Sequence, residues 1–123
     1  MEVVKPEPRP KELPSITGRF ETPCGKRLYI TVTYNGRPLE VFIHIERPGD
    51  CLRAWGEALG RVISIALRSG VDPEAIINTL KFIRCPSPEI RPNGNTSCPD
   101  AIAKFLEEVM EGSPWNSSET KVR

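Results

Sequence analysis

The 123-residue chain has no glutamine, a single histidine and a formal net charge of only +1. Each shortage excludes something. So even a charge balance gives bulk electrostatics no pull toward nucleic acid or an acidic membrane. No apolar run nears the roughly 18 residues that a membrane span needs. The opening Met1-Glu2-Val3-Val4-Lys5-Pro6 has no apolar signal-peptide core. The expected compartment is therefore the cytoplasm, where thiols stay reduced. There is no P-loop, no Rossmann glycine fingerprint, no nucleophile elbow and no Cys-x-x-Cys pair. The missing glutamine fits a heat-adapted source, because amide side chains are thermolabile.

What is present is one modest core framed by proline. Hydrophobic residues make up 38% and charged residues 27%, enough for one soluble domain. Residues 1–18 read as a Pro-rich extended arm. Pro6, Pro8, Pro10 and Pro14 alternate with charges there and carry little apolar surface. It reads equally as a disordered tail or as an arm that docks on a partner. Residues 19–112 hold the folded domain, and 113–123 read as a flexible tail in which Trp115 can fold back.

The clearest local signal is a hairpin. Leu28–Tyr34 alternates, Asn35-Gly36 follows, and Leu39–Ile45 alternates again. Asn-Gly between two such runs predicts a two-residue turn. That turn would set Val32 opposite Leu39, Ile30 opposite Val41 and Leu28 opposite Ile43, with the apolar pairs on one face. A hairpin alone is marginal. A third strand is expected from Arg19-Phe20-Glu21-Thr22 or from a second copy of the chain, which would make a homodimer.

Three helices follow. Asp50 can cap the first, which opens at Cys51 and ends at Gly70. Its expected inward stripe is Leu52, Trp55, Leu59, Val62, Ile63, Ala66 and Leu67. Gly56 and Gly60 lie on it four apart, and that spacing permits tight packing on the hairpin. Asp72 and Pro73 start the second helix, with Ile76, Leu80 and Ile83 inward. Pro86 and Pro88 stop it. Ser97 reads as N-cap of the third, with Asp100 reaching back to it in a capping box and Pro99 in the first turn. Ile102, Phe105, Leu106 and Val109 form its buried stripe. The fold class is α+β, an antiparallel hairpin or small sheet with three helices packed on one face.

Cys24, Cys51, Cys85 and Cys98 each fall at an element boundary, where separate segments can converge at one end of a small domain. Four thiolates at one point match a closed tetrahedral zinc site. Cys98 is also placed beside the positive end of a helix dipole, which favours thiolate. Inert core thiols and two disulfides are the competing readings, and a redox relay lacks its paired cysteines. His44 reads as a packed or surface residue rather than a ligand. Glu107, Glu108 and Glu111 read as a solvated face.

Thr96-Ser97-Cys98-Pro99-Asp100, followed by Ala101-Ile102-Ala103-Lys104, resembles the signature of the TSCPD domain. Thr22-Pro23-Cys24-Gly25, Leu28–Val32, Glu40–Ile43, Glu57–Gly70 and Ile83–Pro86 extend the likeness, over roughly residues 9–110. That family occurs at the C-terminus of adenosylcobalamin-dependent (class II) ribonucleotide reductases and in short separate proteins. The resemblance implies an accessory or regulatory module tied to vitamin B12-dependent ribonucleoside-diphosphate reductase and deoxyribonucleotide synthesis. It implies no catalysis by the module alone, with the class II catalytic chain as partner and cobalamin entering only through that chain. The large barrel with the radical chemistry is not part of this sequence. An alternative function is a nucleotide or single-stranded nucleic-acid binding module using Arg53, Arg61, Arg68, Lys81 and Arg84 with Tyr29 and Phe42.

Overall fold

A computed structural model describes residues 2–23, 27–46, 51–85 and 94–116. The elements run β1 (Ser15–Glu21), β2 (Arg27–Tyr34), β3 (Pro38–Ile45), α1 (Cys51–Arg68), α2 (Pro73–Leu80) and α3 (Cys98–Gly112), then a short 3-10 turn at Pro114–Asn116. The strands form an antiparallel sheet in the order β1-β2-β3. With the helices this is an α+β arrangement. The third strand comes from the chain itself, and it begins at Ser15, inside the segment read as an arm. Among the described residues, no helix is long and apolar enough to cross a membrane.

Alternation sorts the sheet into two faces. Ile16, Leu28, Ile30, Val32, Val41, Ile43 and Ile45 are buried and join the helices in one core. The hairpin exists, but its register differs by two residues from the expected one. Leu28 faces Ile45, Ile30 faces Ile43 and Val32 faces Val41. Tyr34 faces Pro38, so the loop holds three residues, Asn35-Gly36-Arg37, with Gly36 at a φ of +73°. Thr33 then faces Glu40, which leaves Leu39 as an extra, bulged residue. One residue in the loop and one in the bulge account for the shift of two. An even shift keeps every side chain on its face, so the core assignment survives the wrong pairing.

Helix α1 lies close to β3 because its inward positions are small. Gly56, Gly60 and Ser64 are buried along with Ile63 and Leu67. A Cβ on Gly60 would stand 2.9 Å from the Val41 carbonyl oxygen. The expected close approach on the hairpin is thus present. The apolar stripe is correspondingly rotated outward: Trp55 is 69% exposed and Val62 64% exposed, against the inward positions expected of them. The Asp50 cap lies outside the described residues.

Helix α2 is capped by Asp72, whose carboxylate accepts the Glu74 N–H at 2.9 Å. It buries Ile77, with Ile76 and Leu80 partly buried, while Ile83 is exposed beyond its end. Helix α3 buries Ile102, Phe105, Leu106 and Val109, as its spacing predicts. Its middle and the segment after it meet opposite ends of the sheet. Phe105 meets Phe20 edge-on at 5.2 Å, and beyond the helix Trp115 packs on Tyr34 at 6.0 Å.

The arm docks on its own domain. The Glu7 N–H donates to the Arg68 carbonyl at 2.9 Å, and Arg9 grips the buried Glu40 carboxylate with its Nε at 2.8 and 3.0 Å. Arg37 ties the two together, donating to the Leu67 carbonyl at 2.7 Å and to Glu7 at 3.0 Å. The Tyr34 N–H closes the path on Pro14 at 3.1 Å.

Candidate functional site

The Thr96–Asp100 stretch folds into a clasp. Ser97 is the N-cap of α3, its hydroxyl accepting the Asp100 N–H at 3.1 Å. Asp100 does not reach back to Ser97, as a capping box would. Its fully buried carboxylate accepts the Phe82 N–H at 2.7 Å and the Thr96 N–H at 2.9 Å, and pairs with Lys104 at 2.8 Å. Thr96 continues the network. Its hydroxyl donates to the Ile83 carbonyl at 2.8 Å, and its carbonyl accepts the Cys85 N–H at 2.8 Å. Residues after α2 are thereby locked onto the start of α3. Phe82 is held at a φ of +66°, where a bulky side chain is uncommon. Burial by itself pushes the Asp100 carboxyl up, but the Lys104 ion pair and the two backbone N–H groups outweigh it, and the group is held below its ordinary value. These bonds account for the threonine, the serine and the aspartate of the motif as structure.

Of the four cysteines, Cys51, Cys85 and Cys98 lie among the described residues, each at the end of an element or in the segment after one. Cys51 opens α1, where Gly56 packs on Ile45 at the end of β3. Ile45 pairs with Leu28 near the start of β2, and Phe20, Leu28's partner on β1, packs on Phe105 of α3. Cys98 opens α3 and packs against the core, and Cys85 is bonded through its backbone to Thr96. Cys51 is exposed, and Cys85 and Cys98 are half-buried. Cys24 lies outside the described residues. Among the described residues, no three His, Cys, Asp or Glu side chains gather as a group that could hold a metal.

A second region is open rather than sealed. β3 is an edge strand, and α1 runs along it. The Val41 N–H donates to the Ser64 hydroxyl at 3.0 Å, so this edge of β3 faces the helix. Between them lies a groove of about 560 Å³ bounded by Phe42, His44, Arg53, Glu57, Arg61, Ser64 and Arg68, among others. Its two acids are engaged: Glu40 by Arg9, and Glu57 by Arg61 at 2.9 Å. Arg53 and Arg68 form no ion pair with any described residue. The Arg68 Nε–H is buried with no hydrogen-bond acceptor. Phe42 is 47% exposed.

Of the basic residues singled out in the sequence, the fold gathers Arg53, Arg61 and Arg68 at this groove with Phe42. It sends Lys81 to the other side, in an ion pair with Glu107 at 2.9 Å, so Glu107 is not a purely solvated acid. Tyr29 stands on the outer sheet face beside His44, their rings 6.2 Å apart. Nothing in a linear reading marks His44 as a groove residue. Its only signal is parity with Phe42 on an alternating strand. A third feature is an apolar groove between α1 and α2, about 250 Å³, lined by Leu59, Val62, Ile63, Val71, Ile76 and Leu80, among others.

Comparison with known proteins gives two matches. The family model described as TSCPD domain matches residues 3–110. A vitamin B12-dependent ribonucleotide reductase of Rhodopirellula baltica is 32% identical over 111 residues, covering 85% of this chain. The chain spans only 10% of that relative's length. No solved structure matches.

Proposed function

This chain belongs to the TSCPD domain family, and on that premise we propose that it is an accessory or regulatory module of a vitamin B12-dependent ribonucleotide reductase, not catalytic by itself. The observation that carries this reading is the 32% identity to a region making up a tenth of such a reductase. In the relative the region is joined to a much larger body. The domain would work against that body, in the cytoplasm, with cobalamin held by the body and not by the domain.

The surface that best suits such a partner is the apolar groove between α1 and α2. Trp55 and Val62 stand exposed on α1 at and beside it, on a helix whose small residues are already used against β3. Exposed apolar patches of this kind mark protein contacts. The test is recovery of the catalytic chain by the tagged protein from its source cell. The reductase chain should be retained by the wild type and lost by Val62→Asp at unchanged melting temperature. Repeated recovery without the reductase sinks the reading.

A structural zinc held by Cys24, Cys51, Cys85 and Cys98 belongs to the same proposal. Its support is the place of each cysteine at an element boundary in the sequence and the Cys85–Thr96 backbone bond, which brings Cys85 to the start of α3, where Cys98 lies. Elemental analysis of protein purified without added metal tests it. One zinc per chain, lost together with folding stability in Cys98→Ser, is expected; four reactive thiols and no metal would remove it.

A further inference from the structure

We infer that the groove between β3 and α1 binds a nucleoside phosphate, with the phosphates against Arg53 and Arg61 and the base against Phe42. This inference is independent of the reductase association, which concerns the opposite side of α1.

Three observations converge on it. The first is charge. Arg53, Arg61 and Arg68 border the groove; Glu57 is matched by Arg61 and Glu40 by Arg9 from outside the lining, so Arg53 and Arg68 remain as excess positive charge. Arg53 is left with its charge uncompensated among the described residues, on a protein whose overall balance is only +1. The positive potential is therefore local, which suits a small anion better than a long polyanion. Guanidinium groups bind phosphate by paired N–H donors.

The second is an unmet hydrogen bond. Arg68 Nε–H is buried without an acceptor, at the edge where Arg9 and Glu40 also meet. A buried donor left unpaired costs about 1–3 kcal/mol, so it is seldom kept without an occupant. That nitrogen is sealed from the groove as it stands, and a turn of the flexible Arg68 side chain, which borders the groove, would bring it to a ribose hydroxyl or base carbonyl there.

The third is shape and an apolar face. The cavity volume of about 560 Å³ lies within the small-molecule range. Phe42, opposite the small Thr31 on β2, is 47% exposed and offers part of its ring to a base. Gly60 and Ser64 keep the floor low, because α1 carries no bulky side chain there. An inorganic anion would use the arginines alone; a nucleoside phosphate uses the arginines, the orphaned donor and the ring together.

The experiment is isothermal titration calorimetry of the full chain with ATP, with inorganic triphosphate and with a short single-stranded oligonucleotide. Saturable ATP binding is expected, weakened at least about tenfold by Arg53→Ala and by Phe42→Ser. Inorganic triphosphate should bind at least about tenfold more weakly than ATP and be insensitive to Phe42→Ser. Circular dichroism melts of both variants, each altered at an exposed side chain, confirm that they fold. Equal affinity for triphosphate and ATP overturns the nucleoside assignment in favour of a general anion site. An oligonucleotide that binds tighter than ATP and displaces it overturns it in favour of a strand-binding site. No saturation up to about 1 mM ATP, or binding that ignores both substitutions, overturns it outright. A failed pull-down of the reductase leaves each of these results readable.

Discussion

The α2–α3 clasp and the β3–α1 groove put charged side chains to opposite uses. In the clasp, Asp100 is buried and every partner is in place: Phe82, Thr96 and Lys104. In the groove, Arg53 and Arg68 have no counterion among the described residues, and one buried donor has no acceptor there. A saturated network rigidifies, and an unsaturated one is ready to bind. The Thr96–Asp100 motif is thus taken up by architecture, and the surface with unspent chemistry lies elsewhere, on β3 and α1. Substitutions in the two regions should separate along that line, with stability changing in one and ligand binding in the other.

The largest effect is expected at Asp100. Asp100→Ala leaves two backbone N–H groups without their acceptor and removes the partner of Lys104, for a loss of about 3 kcal/mol or more. Thermal melting checks it, and ATP binding by whatever remains folded should be unchanged. The pH dependence has a fixed sign. The Asp100 carboxyl is held below its ordinary value in the folded state. Its contribution is therefore full above the unfolded value near 3.9 and is lost as pH falls through the folded value. Asp100→Asn should flatten that acid limb. An acid limb identical in Asp100→Asn and wild type would show that the clasp is not an electrostatic lock.

Next comes the floor of the groove. Gly60→Ala drives a methyl to 2.9 Å from the Val41 carbonyl oxygen, a backbone atom that cannot step aside. A loss of about 1–3 kcal/mol is expected. Gly56→Ala meets the Ile45 Cδ1 at 3.0 Å, a side-chain end that can turn. The gain in helix propensity of roughly 1 kcal/mol then offsets the crowding. Melting temperatures of the two variants should part clearly, and equal values would mean that α1 is free to lift off β3. Ser64→Ala sits between them, at about 1 kcal/mol, because the Val41 N–H loses its acceptor at 3.0 Å.

Much of this was legible in the sequence, and the failures have a common physical origin. Ser97, Pro99, Asp72 and the stripe of α3 act locally, within one or two turns, and each was readable. The register of the hairpin was not, because Asn35-Gly36 is compatible with loops of two or three residues. The bulge at Leu39 answers to the twist of the sheet and not to the turn. Trp55 and Val62 read as core because their spacing is helical. Gly56, Gly60 and Ser64 took the inward place instead, since small residues let backbones meet. Asp100 read as a capping-box residue, but the groups it satisfies include Phe82, eighteen positions earlier. The groove pairs residues of α1 with alternate residues of β3, and no linear pattern announces a site assembled that way.

The smallest expected effect turns on an ion pair that is lost at alkaline pH. Lys81 bonds the Glu107 carboxylate at 2.9 Å, and that bond, more than any other influence, raises its pKa above the ordinary value. The sign is opposite to that of Asp100. The contribution is full below the unfolded lysine value near 10.4 and is lost as pH rises through the folded one. Both side chains are partly exposed, so salt screens the pair and the alkaline slope should be slight and weaker still at high ionic strength. Lys81→Met should remove it. The groove offers no counterpart, since arginine keeps its proton throughout this range. Near pH 10 the α2–α3 side should therefore loosen slightly while ATP affinity in the groove stays level. Affinity that falls in step with the Lys81 titration would show that the two regions are coupled rather than independent.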